Sequence, residues 1–306
     1  MKYGFSLIMR GVDATRQSFE TMAVKAEEWG LDSLWCSDHI IIPELKTSKY
    51  PGRASGQFPP NWLEGYWEPF TALSYVAAIT KKIALGTSVL IMPMRNPIEV
   101  AHSVADLDQL AEGRFILGVG VGWFKEEFDA LGWPFHQRGA RTNEGLELCK
   151  ALWTQERPSF AGKYNSFENV YFGPKPVSKP HPPIWVGGKS EAAYKRVARF
   201  ADAWHPNRPT FEGLEKDLGE LKVHVEAAGR KMEDITIGVK SMMTFQDGPP
   251  ADGQVPTEGT PEMIISSIKR YQEMGATHFT FDVTPETLDN ALYTMERFVN
   301  EIRPKL

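Results

Sequence analysis

Asp38 and His39 stand together after an apolar stretch, and they are residue types that could do acid–base chemistry. The stretch "SLWCSD" has the composition of a buried strand, so the pair lies where that strand ends. A histidine there can donate to a bound carbonyl or hydroxyl, or exchange a proton with it, because its unperturbed pKa lies near neutrality. The alternative is that both residues only cap the strand and hold the following loop.

The glycine run from Gly118 to Gly122, "GVGVG", could lie close to a ligand. Its spacing differs from the G-x-G-x-x-G pattern of dinucleotide-binding sites, and no acidic residue ends a following strand. We interpret these glycines as the place where a large planar group lies flat against the backbone. The alternative is a glycine-rich rim that holds no ligand.

The sequence from Gly187 to Ser190, "GGKS", precedes a predicted helix. Free backbone N–H groups, the positive end of the helix and Lys189 together favour a phosphate site. A tight turn whose helix is capped by Ser190 is the alternative.

Other kinds of site lack their sequence patterns. No H-x-H or H-E-x-x-H occurs, so we predict no metal site, and no G-x-S-x-G nucleophile pattern occurs either. Cys36 and Cys149 have no metal-ligand spacing, and we interpret them as reduced packing residues.

Strand-like and helix-like patterns alternate along the chain and form eight strand–helix pairs. Several of the strands are continuously apolar, as strands covered on both faces should be. The pattern predicts an α/β fold, a (β/α)8 TIM barrel in one domain over residues 1–306, with a doubly wound open sheet as the alternative. In such a barrel the carboxyl ends of the strands share one mouth, so the residues above would meet there. The predicted strands are "YGFSLIM", "SLWCSD", "IALGTSVLIM", "RFILGVGVG", "PIWVGG", "ADAWHP", "ITIGVKSM" and "THFTFDV".

Two irregular stretches rich in proline and aromatic residues interrupt the alternation, Ile42–Trp67 and Gln155–Pro183. Long insertions of this kind are usually lids or substrate-binding loops. Trp67, Trp123 and Phe135 are the aromatic side chains that we expect to wall a substrate pocket, although such residues also build cores.

Composition excludes two classes of partner. The formal charge of -5 gives no basic footprint, so we expect no nucleic acid as a partner. No apolar run has the length of a membrane span, and the first residues lack the apolar core of a signal peptide, so we expect a cytoplasmic protein without a membrane partner.

Five long segments together resemble the bacterial luciferase-like family of flavin and deazaflavin enzymes, and the resemblance spans nearly the whole chain. The glycine run and the residues after it are most similar to the branch that uses coenzyme F420, a deazaflavin. The segments are "AEEWGLDSLWCSDHIIIP", "IALGTSVLIMPMRNP", "AEGRFILGVGVGWFKEEFDALG", "RGARTNEGLELCKALW" and "PPIWVGGKSEAAYKRVARFADAW".

The resemblance implies roles at several strand ends. The family's active-site histidine falls on His39, which is our candidate catalytic residue. A non-prolyl cis peptide and a bulge that back the deazaflavin ring fall on Ser88–Val89, and the phosphate and ribityl contacts fall on Gly120–Gly122 and on Gly187–Ser190. The candidate cofactor-binding residues are Asp38, His39, Thr87, Ser88, Val89, Gly120, Val121, Gly122, Gly187, Gly188, Lys189 and Ser190.

Three positions depart from individual family members. Sugar-phosphate dehydrogenases of the family have an acidic glutamate where this chain has Trp123, and a tryptophan where it has Pro43, so sugar oxidation is not expected. Val121 stands where bacterial luciferase has an arginine that holds the flavin phosphate, which disfavours FMN bound in that manner.

The resemblance therefore implies an F420-dependent oxidoreductase that transfers a hydride to or from an activated alkene, imine, carbonyl or alcohol. One alternative is an FMN-dependent monooxygenase that receives reduced flavin from a partner reductase. Another is a non-catalytic barrel that only holds a flavin. The family also implies a homodimer, a small-molecule substrate and a separate cofactor reductase.

Overall fold

The computed structural model describes residues 1–51, 55–58, 63, 65–249 and 256–306. Part of the first predicted insertion therefore lies outside the described residues. Within them, the chain alternates strands and helices from the first strand to the last helix.

Eight parallel strands close into a barrel. Each strand pairs with the next one along the chain, and the eighth pairs with the first. The predicted barrel is thus confirmed, and the open sheet is excluded because the last strand closes on the first. The strands are β1 (Lys2–Ser6), β2 (Ser33–Cys36), β3 (Ala84–Thr87), β4 (Phe115–Gly120), β5 (Ile184–Gly187), β6 (Ala203–His205), β7 (Thr236–Phe245) and β8 (Ala276–Val283).

Helices surround the barrel, and their caps follow the sequence signals. The side chain of Asn96 accepts from the N–H of Ile98 before a helix that begins with Pro97, and Gly30 ends the first helical segment with a φ of 67°. Of the described helices, none is long and apolar enough to cross a membrane. They are α1 (Arg16–Glu28), α2 (Pro69–Ile79), α3 (Pro97–Leu110), α4 (Lys125–Ala130), α5 (Arg138–Thr154), α6 (Glu191–Phe200), α7 (Phe211–Ala227), α8 (Pro261–Glu273) and α9 (Leu288–Arg297).

The third predicted strand is not continuous. β3 pairs with β2 and β4, whereas Leu90–Ile91 forms a separate short strand that pairs with β4 alone. Between them the Ser88–Val89 peptide bond is cis, as the family resemblance implied. The chain thus changes its pairing at the point where it reaches the mouth of the barrel.

The second predicted insertion has more structure than its composition suggested. Phe160–Ala161 and Ser166–Phe167 pair as a short antiparallel hairpin. The Glu144 carboxylate on α5 accepts hydrogen bonds from the backbone N–H groups of residues 163–165, at 2.7–3.0 Å. The hairpin is therefore attached to the outside of the barrel.

Two tryptophans fill the barrel interior below the mouth. The rings of Trp35 and Trp185 lie 4.8 Å apart between their centroids. A Cβ at Gly86 would lie 2.3 Å from the Trp35 ring, and one at Gly238 would lie 2.4 Å from the Trp185 ring. Because the glycines make room for these rings, the interior is packed and space remains at the carboxyl ends of the strands.

Candidate functional site

A cavity of about 320 Å³ lies at the carboxyl end of the barrel, and each of the eight strands or the segment after it contributes lining residues. Small-molecule sites of α/β barrels lie at this end. The structure therefore brings most of the candidate residues to one place. Those that line the cavity are Asp38, His39, Ser88, Val89, Gly120, Val121, Gly122, Trp123, Gly187 and Gly188.

His39 is held by a buried carboxylate. Its Nδ1 lies 2.7 Å from Oε2 of Glu127, and the other oxygen of Glu127 accepts the backbone N–H of Ile40 at 2.7 Å. The rings of Tyr66 and Trp123 meet the imidazole edge-on, with centroids 5.4 and 6.3 Å away. In the neutral imidazole this bond selects the tautomer with the proton on Nδ1, so Nε2 is the atom suited to exchange a proton.

Glu127 was not among the predicted site residues, because α4 was not predicted. This six-residue helix also carries Glu126, whose Oε1 accepts the N–H groups of residues 46–48 at 2.6–3.1 Å. The two neighbouring carboxylates attach the loop after β2 to α4. The acidic pair in "WFKEEFDALG" was the available sequence signal, since acidic residues are favoured in the first turn of a helix.

The carboxylate of Asp38 is hydrogen-bonded to other parts of the protein and is not free to bind a ligand. Arg95 donates to both of its oxygens, at 2.7 and 2.8 Å, and the N–H of Ile91 donates to Oδ2 at 2.8 Å. Asp38 lines the cavity, and its contact with the cofactor stays a prediction. Its carboxylate anchors the short strand that follows the cis peptide.

Ser88 is fixed by two buried side chains. His205 accepts the hydroxyl of Ser88 at Nε2, 2.9 Å away, because its Nδ1–H donates to the carbonyl of Gly238. Burial, together with the nearby Lys240, lowers the pKa of His205 to about 4, so this histidine is neutral near pH 7. Lys240 donates to the carbonyl oxygen of Ser88 at 3.1 Å. These contacts hold the Ser88–Val89 peptide at the cavity wall.

The glycines of β4 make room for Val89. A Cβ at Gly120 would lie 2.5 Å from Cγ2 of Val89, and one at Gly118 would lie 1.9 Å from the carbonyl oxygen of Thr87. The missing side chains therefore make room for the bulge, and the bulge lines the cavity together with Gly120 and Gly122. That these glycines lie against a flat ligand stays a prediction. Thr87 does not line the cavity, since its hydroxyl is bonded to the backbone of Gly118 in the barrel wall.

The predicted phosphate turn is divided in the structure. The backbone of Gly187 and Gly188 lines the cavity, whereas Lys189 and Ser190 do not and lie exposed beside it. The hydroxyl of Ser190 caps α6 by accepting the N–H of Ala193 at 3.3 Å. For Ser190 the structure thus favours the capping role, and phosphate binding at Lys189 is not supported by the cavity.

Two of the three predicted aromatic walls lie elsewhere. The indole N–H of Trp67 donates to the carbonyl of Ala14, and its ring packs edge-on against Phe19. Phe135 packs against Phe128. Aromatic type alone could not reveal which way these side chains point, so only Trp123 remains as a wall.

A charged wall of the cavity was also missed. It is built from residues in β7 and β8 and from residues that follow β1, β6 and β8. It contains ion pairs of Lys240 with Asp282 at 3.3 Å, Arg208 with Asp282 at 3.6 Å, and Arg10 with Glu286. Burial acts to raise the pKa of Asp282, but Lys240 and Arg208 outweigh it and hold the pKa below its ordinary value. A lysine in "ITIGVKSM" and an aspartate in "THFTFDV" were the available signals, since charge is unusual within buried strands.

The described residues contain no group of three or more histidines, cysteines and carboxylates that could hold a metal ion. The arrangement is therefore an imidazole–carboxylate pair, a supported bulge and exposed backbone amides around one cavity. It can hold a flat ligand and exchange a proton with it.

Comparison with known proteins relates the chain to one family. Residues 4–251 match the luciferase-like monooxygenase family. An uncharacterised protein of Mycobacterium tuberculosis (strain ATCC 25618 / H37Rv) is 29% identical over 278 residues, which cover 90% of this chain and 91% of that protein. An F420-dependent glucose-6-phosphate dehydrogenase of Nakamurella multipartita is 33% identical over 229 residues, with 73% and 62% covered. An FMNH2-dependent dimethylsulfone monooxygenase of Pseudomonas putida is 32% identical over 183 residues, with 59% and 49% covered.

Solved structures share the fold. A coenzyme F420-dependent tetrahydromethanopterin reductase from Methanopyrus kandleri superposes with a TM-score of 0.77 at 17% identity, covering 99% of this chain and 98% of that one. An F420-dependent secondary alcohol dehydrogenase, in complex with an F420–acetone adduct, gives 0.78 at 18% identity, covering 100% and 99%. At such identities the likeness shows the fold alone.

Proposed function

The chain belongs to the luciferase-like monooxygenase family, and from this premise we propose that it is an F420-dependent oxidoreductase. Relatives of the chain depend on F420 or on FMN, and the family's members are oxidoreductases or monooxygenases. The proposed reaction moves a hydride between the deazaflavin and an activated alkene, imine, carbonyl or alcohol. The observation that carries the proposal is the convergence of His39, the Ser88–Val89 bulge and two glycine backbones on one cavity.

The cavity residues fit a deazaflavin. Val89 offers an apolar surface for a ring, and the backbones of Gly120–Gly122 and Gly187–Gly188 offer amides for a ribityl phosphate. When bound, the deazaflavin supplies a hydride donor or acceptor, and it lacks the ring nitrogen that makes flavins reactive towards oxygen. Val121 lines the cavity without a charge, which supports F420 over FMN held in the luciferase manner.

The chain's own groups would move the proton that accompanies the hydride. His39 would donate it from Nε2 to the substrate, or remove it in the reverse direction, while Glu127 orients the ring. Lys240 and His205 would keep the Ser88–Val89 peptide in place. The enclosing walls limit the access of water to the reacting groups.

Titration of the purified protein with F420 and with FMN tests the proposal. We expect F420 to bind at micromolar concentration and FMN to bind more weakly. Binding is measured by the quenching of tryptophan fluorescence from Trp123. Failure of F420 to bind at that level would refute the proposal. A yellow protein that carries FMN and consumes oxygen with a reductase present would establish the alternative that the Pseudomonas putida relative favours.

The third candidate, a barrel that holds a cofactor without catalysis, predicts that loss of His39 changes no turnover. We further propose a cytoplasmic homodimer that depends on a separate enzyme to reduce its coenzyme. Size-exclusion chromatography with light scattering tests the dimer, and a monomer at micromolar concentration would contradict it.

A further inference from the structure

The charged wall of the cavity has an excess of positive charge. Three cations and two carboxylates belong to it, Arg10, Arg208, Lys240, Asp282 and Glu286, which gives +3 − 2 = +1. Arg10 and Arg208 follow β1 and β6, Lys240 and Asp282 lie in β7 and β8, and Glu286 follows β8. The glycine backbones lie at the ends of β4 and β5, and β5 is the neighbour of β6. Lys240 also donates to the carbonyl oxygen of Ser88, so the charged wall adjoins the proposed cofactor contacts.

Arg208 lacks good acceptors for its donors. Its Nη2 contacts the thioether sulfur of Met242 at 2.8 Å, and the nearest carboxylate oxygen, on Asp282, lies 3.6 Å away. Its Nε is buried without a hydrogen-bond partner in the part of the chain that the structure describes. A buried donor without an acceptor is costly, so this guanidinium is suited to receive an oxygen-rich group.

The backbone holds Arg208 in this place. Its φ of 48° is uncommon for a residue other than glycine, and its N–H donates to the carbonyl of Lys240 at 2.7 Å. The side chain is thus attached to β7 at its base and directed along the cavity wall.

Lys240 adds a second donor. Its ammonium has three N–H bonds, and the described acceptors are Ser88 at 3.1 Å and Asp282 at 3.3 Å. Asp282 also accepts the hydroxyl of Ser6 at 2.6 Å, so its charge is shared among several donors. A ligand oxygen between Lys240 and Arg208 would accept hydrogen bonds from N–H groups that have no good acceptor within the protein.

We propose that Arg208 and Lys240 form an anion subsite that receives the carboxylate of the substrate. This inference rests on the proposed function and deepens it, because it makes the substrate an organic acid with a reducible or oxidisable group. A carboxylate matches the guanidinium fork, and its single charge matches the net charge of the wall. A dianionic phosphate would leave the wall with excess negative charge.

Binding of trans-cinnamate and of cinnamamide, its neutral counterpart, tests the proposal. Isothermal titration calorimetry is performed on the full chain, with and without F420. We expect cinnamate to bind about tenfold more tightly than cinnamamide, and Arg208→Gln to reduce this preference below about twofold. Arg208→Lys should keep part of the preference. Arg157→Gln, which changes an exposed arginine on Tyr171, should keep all of it.

Equal affinity for the two probes, no cinnamate binding up to about 10 mM, or a preference that survives in Arg208→Gln would overturn the inference. The coenzyme also carries carboxylates, so F420 affinity is measured for the same variants. If Arg208→Gln lowers the affinity for F420 and leaves the affinity for cinnamate unchanged, the subsite binds a carboxylate of the coenzyme and the inference is wrong. If F420 does not bind but the cinnamate preference is present without it, the proposed function fails and the anion subsite stands.

Discussion

The rim of the barrel and its interior both contain histidines, but the histidine at the rim has a charged neighbour and those in the interior have neutral ones. At the rim, His39 faces the carboxylate of Glu127. In the interior, His205 faces a serine hydroxyl and a carbonyl, and His278 faces the hydroxyl of Ser33 at 2.9 Å. A carboxylate can stabilise an imidazolium, whereas neutral partners in a buried site cannot. The partner, rather than the residue type, assigns the acid–base role to one histidine among three.

The largest expected effect is at the rim. His39→Asn should lower turnover by about 10²-fold or more, because it removes the group that exchanges the proton, while F420 affinity changes little. Steady-state kinetics and a coenzyme titration measure both quantities. His102→Asn, at an exposed histidine on α3, is the control. If turnover is unchanged in His39→Asn, the rim histidine has no acid–base role that the interior histidines lack.

Replacing the partner should have the next largest effect. In Glu127→Gln the single amide oxygen can accept from His39 or from Ile40, and the amide N–H2 then faces another donor. We expect turnover to fall about tenfold and the free energy of unfolding to fall by about 1–3 kcal/mol. Kinetics and urea denaturation measure the two changes.

Glu126→Gln is the matched control, since the hydrogen bonds to this residue all use Oε1 and an amide oxygen can keep them. We expect it to be close to the wild type in both measurements. If both variants behave alike, the effect belongs to the loop attachment and not to the imidazole–carboxylate pair.

The interior histidines should have the smallest effect at neutral pH, because their effect on stability is visible only in acid. Burial lowers the pKa of His278 to about 3 and that of His205 to about 4. An unfolded histidine has a pKa near 6.5, so the unfolded chain binds protons that the folded chain does not. Their contribution to stability is complete above about pH 6.5 and declines by up to about 3 kcal/mol per histidine towards pH 4.

The slope of unfolding free energy against pH measures this effect. His278→Leu should have a shallower slope between pH 6.5 and 4 than the wild type, whatever its absolute stability. His102→Asn should keep the wild-type slope. An identical slope in His278→Leu would show that the interior site tolerates charge.

Sequence patterns predicted the parts of the site that lie at the ends of regular strands. His39 and the glycine runs follow apolar strands, and their common location follows from the closure of the barrel. The cis peptide at Ser88–Val89 came only from the family resemblance, because no local pattern distinguishes it. Glu127 was missed because a six-residue helix has too few turns to show a periodicity.

The charged wall could not be assembled from the sequence. Arg208 follows β6, whereas Lys240 and Asp282 lie in β7 and β8, and only the pairing of these three strands brings the residues together. Trp67 and Phe135 show the opposite limit. Their residue type suits a pocket or a core equally, and their orientation depends on neighbours such as Phe19 and Phe128.

The adjacent carboxylates of α4 link the movement of the loop after β2 to the movement of this helix. Since Glu126 and Glu127 accept hydrogen bonds from the chain at both 40–41 and 46–48, an outward movement of this loop alone would break those bonds. The loop keeps them only if the short helix moves with it. A movement of helix and loop together would separate Glu127 from the imidazole of His39. Entry of a bulky molecule from this side would therefore break the hydrogen bond that orients His39 until the helix returned.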